Sequence, residues 1–241
     1  MMLVPNRLWI RIRGTVSVKK KSRFLALVLA THFPQALAMV VLTVSASWIY
    51  GQQGIGIIFV LIAIAAGQAS IGWVNDYIDY EIDNSLNRAN KPLVRNTLLQ
   101  KELKTPIIIS LLVTVLFSFV AGGWIGGLAH IFAVVSAQLY NLYLARTIWS
   151  WLPYAASFAL LTVFVTQTSD SELWPSWQIV VIAICVGVIA HIFNAVPDLQ
   201  IDRKSNLGGL VVSLGKMRSL VIAGALSVVI VWLVIDLWLT R

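Results

Sequence analysis

Asn75-Asp76-Tyr77-Ile78-Asp79-Tyr80-Glu81-Ile82-Asp83 places four acidic side chains within eight positions, directly after a long, mostly apolar run. The chain around it, 241 residues long, is 59% hydrophobic and only 12% charged, so this density of carboxylate is what the reading must explain. On a helix, Asp76, Asp79 and Asp83 fall at i, i+3 and i+7 and share one face, with Glu81 pointing off it. Like charges that close repel, and beside a bilayer their desolvation costs several kcal/mol more. Something cationic must compensate them, and hard carboxylate oxygens suit Mg²⁺.

A mean hydropathy of +0.83 and ten tryptophans exclude an ordinary soluble domain. The composition fits an all-α, polytopic bundle of transmembrane helices in a lipid bilayer. A net charge of +8 would elsewhere suggest nucleic acid. In a membrane chain the distribution of charge matters more than its sum, and no nucleic-acid partner is expected. Cys185 stands alone in an apolar run, so no intrachain disulfide can form and it reads as a small core hydrophobe. His32, His130 and His191 have no metal-ligand spacing, so no zinc site is expected, although His32 and His191 could line a polar cavity.

Residues 1–23 form a basic segment (Arg7, Arg11, Arg13, Lys19, Lys20, Lys21 and Arg23) interleaved with Leu8, Trp9, Ile10 and Ile12. No small-residue cleavage site follows, so the segment is expected to remain as a cytoplasmic or interfacial anchor. A single membrane domain is expected over 24–241. It holds seven apolar segments near 24–49, 54–76, 105–121, 128–145, 151–168, 177–198 and 217–239, each about the 20 residues needed to cross hydrocarbon. Gly122–Gly127 reads as a tight turn between the third and fourth, and Gln167–Trp177 as a longer one between the fifth and sixth. With a cytoplasmic amino terminus, 17 of the 18 Lys and Arg fall on the inner side and only Arg241 outside. The positive-inside rule therefore puts residues 76–83 at the cytoplasmic end of the second span.

A second constellation ends the sixth segment: Asn194-Ala195-Val196-Pro197-Asp198-Leu199-Gln200-Ile201-Asp202-Arg203-Lys204. Asn194, Asp198 and Asp202 are spaced i, i+4 and i+8, again one face if the helix continues, with a kink expected at Pro197. The topology brings both clusters to the same side. Both lie at helix carboxyl ends, where the macrodipole favours cations. Two facing aspartate sets suit a diphosphate bridged to protein by Mg²⁺, with Arg88, Lys91, Arg203 and Lys204 on the remaining phosphate oxygens.

At these residues the chain resembles the UbiA superfamily of intramembrane prenyltransferases. Asn75, Asp76, Asp79 and Asp83 match its first motif, and Arg88, Lys91, Pro92 and Leu93 the basic signature that follows. Asn194, Asp198 and Asp202 match the second, and Gly208–Gly215 resembles the stretch after it. The resemblance covers roughly residues 30 to 215. It implies Mg²⁺-dependent ionisation of an isoprenyl diphosphate and transfer of the prenyl chain to a hydrophobic acceptor, aromatic or lipid-like. Asp76, Asp79, Asp198 and Asp202 would be catalytic, and with Asn75 and Asp83 would hold the metal. The diphosphate would rest on Asn75, Arg88, Lys91, Tyr140, Arg146, Asn194, Arg203 and Lys204. The same resemblance implies an integral protein of a prokaryotic cytoplasmic membrane with its active site facing the cytoplasm. Trp73, Tyr77 and Tyr140 are candidate aromatic partners for an allylic cation.

The chain departs from the family pattern twice. Tyr140 supplies the tyrosine of the loop after the fourth helix, but Ala145 stands where the family has a lysine, leaving Arg146 to take its place. The family typically has nine helices where seven are found here, so two alternatives stand: its last two are dispensable in this chain, or this version is truncated with a cavity open to lipid. An acceptor-free terpene cyclase of the same superfamily remains an alternative. A cation-coupled transporter is a further one, though its sites would lie near the midplane of repeated halves. An alcohol phosphotransferase needs an Asp-Gly-x-x-Ala-Arg motif that this chain lacks.

Overall fold

The structure is a computed structural model that describes residues 23–169 and 173–240. Residues 1–22, which carry most of the basic segment, lie outside the described residues. The described secondary structure is helical: α1 Arg23–Ala30, α2 Phe33–Ile49, α3 Ile55–Ser85, α4 Lys104–Leu139, α5 Leu152–Gln167, α6 Trp177–Ala195, α7 Leu199–Lys204, α8 Leu210–Leu214 and α9 Lys216–Leu239. A 3₁₀ turn at Gln100–Leu103 leads into α4, and a π-helical turn at Tyr140–Leu144 leaves it.

By length and composition four described stretches can cross a membrane, or five with the bent α1–α2 pair counted as one. Seven apolar segments are still recognisable. The stretch 100–144 turns back at Gly123, whose φ of 60° and ψ of −156° lie in a region open essentially to glycine. Ser118 and His130 accordingly meet across the turn, 2.7 Å apart. The fifth segment is α5, a shorter apolar helix of 16 residues.

Two expectations about continuity are corrected. The first span is broken, not continuous: α1 and α2 meet at 65°, with His32 in the left-handed region at φ 56°. Pro34 explains the break, since it has no N–H to donate and its ring excludes the preceding turn. The sixth segment does not run as one helix through Asp202. It stops at Ala195, two residues before Pro197, and resumes as α7, so Asp198 caps a separate short helix. Pro197 costs more than a kink here because a helix end is nearby to absorb the break.

The helix ends gather at two poles of the bundle. Gln52, between α2 and α3, donates to the carbonyl of Thr168 after α5. Gln178, at the start of α6, donates to Asp236 near the end of α9 at 3.2 Å. The carboxyl ends of α3 and α6 gather at the opposite pole. Apolar burial there is organised around Ala26, Ala30, Leu93, Leu98 and Leu103, with Trp73 and Tyr77 packed against them. Those two aromatics therefore serve as packing, and Trp73 also donates its indole N–H to the Leu27 carbonyl at 2.9 Å.

Candidate active site

The first aspartate motif lies wholly on α3, as its spacing predicts, and Asp76 and Asp83 are each only 2% exposed. The loop that follows folds back over them because Leu93 and Leu98 plug into the apolar cluster beneath. That return places Arg88 and Lys91 above the carboxylates. Lys91 Nζ donates to Asp76 Oδ1 and to Asn75 Oδ1 at 3.3 Å, and lies 3.6 Å from Asp83 Oδ2. Gly72 lets the α1–α2 break approach α3: a Cβ there would meet the Thr31 backbone at 2.6 Å. His32 thereby reaches the site, its Nε2 3.1 Å from Asp76 Oδ1 and 3.2 Å from Lys91 Nζ.

Arg88 joins the two motifs. Its Nη1 donates to Asp83 Oδ1 and its Nη2 to Asp202 Oδ1, both at 3.0 Å, across 114 residues in the second case. Arg146, just after the π-helical turn, donates to Asp79 Oδ1 at 2.8 Å. Asp79 also accepts from Asn75 at 3.0 Å, and Asn75 donates to Asn141 at 3.4 Å. Asn141 in turn donates to Gln138 Oε1 at 3.3 Å and to the Ile71 carbonyl at 3.0 Å. A polar ladder thus runs from the acidic rim into the bundle between α3 and α4, as buried polar groups in lipid require.

The remaining expected residues are placed less centrally. Asn194 donates to the Tyr154 hydroxyl at 3.1 Å, and Tyr140 meets the same Tyr154 edge-on with ring centroids 5.2 Å apart. Asp198 is exposed. Arg203 turns away to the Val212 carbonyl at 3.3 Å, and Lys204 is exposed at the end of α7. Burial raises the Asp202 carboxyl above the usual carboxylate range despite the Arg88 guanidinium beside it.

The donor set fits a hard divalent cation. It consists of carboxylate and amide oxygens, and Asp76 Oδ2 is buried without a hydrogen-bond partner. Among the described residues no three His, Cys, Asp or Glu side chains converge tightly enough to hold a metal by themselves. Mg²⁺ takes one or two carboxylates and completes its shell with water and phosphate oxygens, so it does not need three such side chains. Sequence reasoning underweighted His32 and missed Asn141, Gln138 and Tyr154. Gln138 and Asn141, three apart in an apolar helix, carried a usable signal as intramembrane polar residues; Tyr154 carried none.

Comparisons with known proteins place the family and the fold. The chain is 26% identical over 185 residues to a digeranylgeranylglyceryl phosphate synthase of Thermococcus gammatolerans; the match covers 73% of this chain and 63% of the relative's length. Its fold is similar to a UbiA homolog from Archaeoglobus fulgidus solved bound to DMAPP and Mg²⁺. The TM-score is 0.75 at 20% identity, covering 91% of this chain and 79% of that one. The same homolog bound to GPP and Mg²⁺ matches at 0.74 and 19% identity, with the same coverage. A UbiA homolog from Aeropyrum pernix K1 matches at 0.64 and 16%, covering 83% of this chain and 77% of that one. Residues 36–240 match the profile of the UbiA prenyltransferase family. With that match over most of its length, and both aspartate motifs at one pole of the bundle, the chain belongs to the UbiA prenyltransferase family.

Proposed function

We propose that this protein is a Mg²⁺-dependent intramembrane prenyltransferase, ionising an isoprenyl diphosphate and passing the prenyl chain to an aromatic or lipid-like acceptor. The observation that carries this reading is the Arg88 bridge from Asp83 to Asp202, which makes one site of two motifs far apart in sequence. Arg88, Lys91 and Arg146 now neutralise carboxylates. An incoming diphosphate competes for those cations, the arginines offering forks and the lysine a point charge. Asn75 beside Asp79, Asn194 and Tyr140 beside Tyr154, and Arg203 and Lys204 on the helix of Asp202 are the further groups offered to the diphosphate. The released oxygens of Asn75, Asp76, Asp79, Asp83, Asp198 and Asp202 are then free to hold Mg²⁺. What bound Mg²⁺ supplies is neutralisation of the charge that builds on a departing diphosphate. Tyr140 and Tyr154 wall the interior beneath the rim, where an aromatic lining excludes water and favours an allylic cation.

The Archaeoglobus homologs described as bound to DMAPP or GPP with Mg²⁺ support this donor class. The name of the Thermococcus relative supports a lipid-like acceptor, reaching the site from the membrane or the cytoplasmic side. The charge distribution supports an amino terminus and active site facing the cytoplasm, and the site is assigned to a prokaryotic cytoplasmic membrane as part of this proposal. Purified protein given geranyl diphosphate and Mg²⁺ tests the chemistry through diphosphate release. Asp76→Ala, Asp79→Ala and Asp198→Ala should each abolish release while the protein remains folded in detergent. Full activity in all three, or activity undiminished by EDTA, would overturn the reading.

A further inference from the structure

Asp76 Oδ2 and Arg88 Nε at the acidic rim are buried without a hydrogen-bond partner, and so is one atom of His191 nearby. His191 lies on α6 one turn before Asn194 and two turns before Asp198, and its ring is 2% exposed. It stacks tilted on Tyr154, centroids 5.1 Å apart, and meets Tyr140 edge-on at 6.0 Å. Its Nε2 lies 3.1 Å from Ser150 Oγ, and that Oγ accepts the Leu210 amide N–H at 3.1 Å. Its Nδ1 is buried and has no hydrogen-bond partner.

These contacts assign the tautomer. A serine hydroxyl has one proton to give, and among the described residues the acceptor in reach of Ser150 is His191 Nε2. Nε2 therefore accepts, and in the neutral ring Nδ1 carries the proton. The Ser150 bond accounts for where the ring sits. It does not account for a desolvated N–H with nothing to bond, which is costly to leave unmade.

We infer that His191 Nδ1–H is a hydrogen-bond donor to the chain-bearing phosphate of a prenyl diphosphate, an inference that rests on the donor class proposed above. Depth supports it. With about 1.5 Å of rise per residue along α6, His191 lies about 4–5 Å deeper in the bundle than Asn194. Arg88, Lys91 and Arg146 bond at the level of Asp76–Asp83. A diphosphate laid among those cations with its chain directed inward brings its inner phosphate toward the Tyr140–Tyr154–His191 group. An uncharged donor there bonds most strongly to an oxygen gaining negative charge, as the one leaving the prenyl carbon does.

Two substitutions separate this role from a structural one. Gln in place of His191 keeps an amide in reach of Ser150 but removes the donor at the Nδ1 position. Asn puts an amide N–H near the Nδ1 position and gives up Ser150. The readout is calorimetric binding of geranyl diphosphate with Mg²⁺ to the full-length protein in detergent, with the melting temperature of each variant recorded. Expected are a loss of about tenfold or more in affinity for His191→Gln, the scale of one hydrogen bond to a charged group, and near-wild-type affinity for His191→Asn. Equal binding by wild type and His191→Gln overturns the inference, as does His191→Asn binding no better than His191→Gln. Failure of the wild type itself to bind geranyl diphosphate instead overturns the donor class.

Discussion

Arg146 donates to Asp79 at 2.8 Å across 67 residues of sequence, carrying a cation from the end of α4 onto the middle aspartate of the α3 motif. At this corner of the site the positive charge comes from the Arg146 guanidinium, one residue after Ala145, where the family resemblance implies a lysine. Charge-assisted bonds of this kind contribute about 1.5–3 kcal/mol. Arg146→Ala should therefore raise the KM for a prenyl diphosphate about tenfold or more. Adding Ala145→Lys to that variant should recover part of the loss. Steady-state kinetics of the three proteins checks this, and an unchanged KM in Arg146→Ala would remove Arg146 from the site.

Arg88 presents a different test, because its two bonds go to two motifs. Asp83 is buried, and removing one partner from a buried pair is strongly destabilising, by about 3–5 kcal/mol when both are fully desolvated. Arg88 is 20% exposed in its side chain, so the cost should fall below that range. Arg88→Lys should behave more like Arg88→Ala than like wild type, since one ammonium cannot reproduce a fork that spans Asp83 and Asp202. Chemical or thermal unfolding in detergent gives the comparison. A fully stable Arg88→Lys would mean that the bridge is not what joins the motifs.

How far the sequence carried the structure depends on the kind of signal. The α3 motif was legible because helical spacing alone puts Asp76, Asp79 and Asp83 on one face, whereas Arg88 and Lys91, assigned from the sequence to phosphate oxygens, fold back onto the carboxylates themselves. The second motif was legible in position but not in form: Pro197 announced a disturbance without saying whether it would bend the helix or end it. The His32–Asp76 contact was hidden because it depends on a left-handed residue and on Gly72 yielding space to Thr31, neither of which has a periodic signature. The aromatic group failed for a related reason. Trp73 and Tyr77 lie near the aspartates in sequence, yet face the Leu93–Leu98 plug, while Tyr154 is distant in sequence and adjacent in space.

Gly123 allows a perturbation far from the site. Its φ of 60° with ψ of −156° is strained for any residue with a Cβ, although no atom lies within 4 Å of where that Cβ would be. Gly123→Ala should cost about 1–3 kcal/mol of stability from the backbone alone. Because the turn sits at the pole opposite the aspartates, diphosphate release per folded molecule should stay at the wild-type level. A melting temperature equal to wild type would mean that the chain re-forms the turn in another conformation.

Asp202 gives a pH dependence with a definite sign. Burial raises its carboxyl above the ordinary value, and the neighbouring Asp198 charge adds to this, while Arg88 pulls the other way. The folded protein thus holds the proton more tightly than the unfolded chain. This carboxyl favours folding fully below the ordinary carboxylate range, and that contribution is lost as pH rises through the raised value. Asp202→Asn should consequently match wild type in thermal stability near pH 3, below the ordinary carboxylate range, and exceed it at neutral pH, in detergent without divalent cations. Diphosphate release should fall in the same variant, since the carboxylate that costs stability is the one the site needs ionised. Adding Mg²⁺ at neutral pH should narrow the stability gap, because a cation beside Asp202 compensates the buried charge in the wild type only. A variant less stable than wild type at neutral pH would show that the Arg88 bond outweighs burial at this carboxylate.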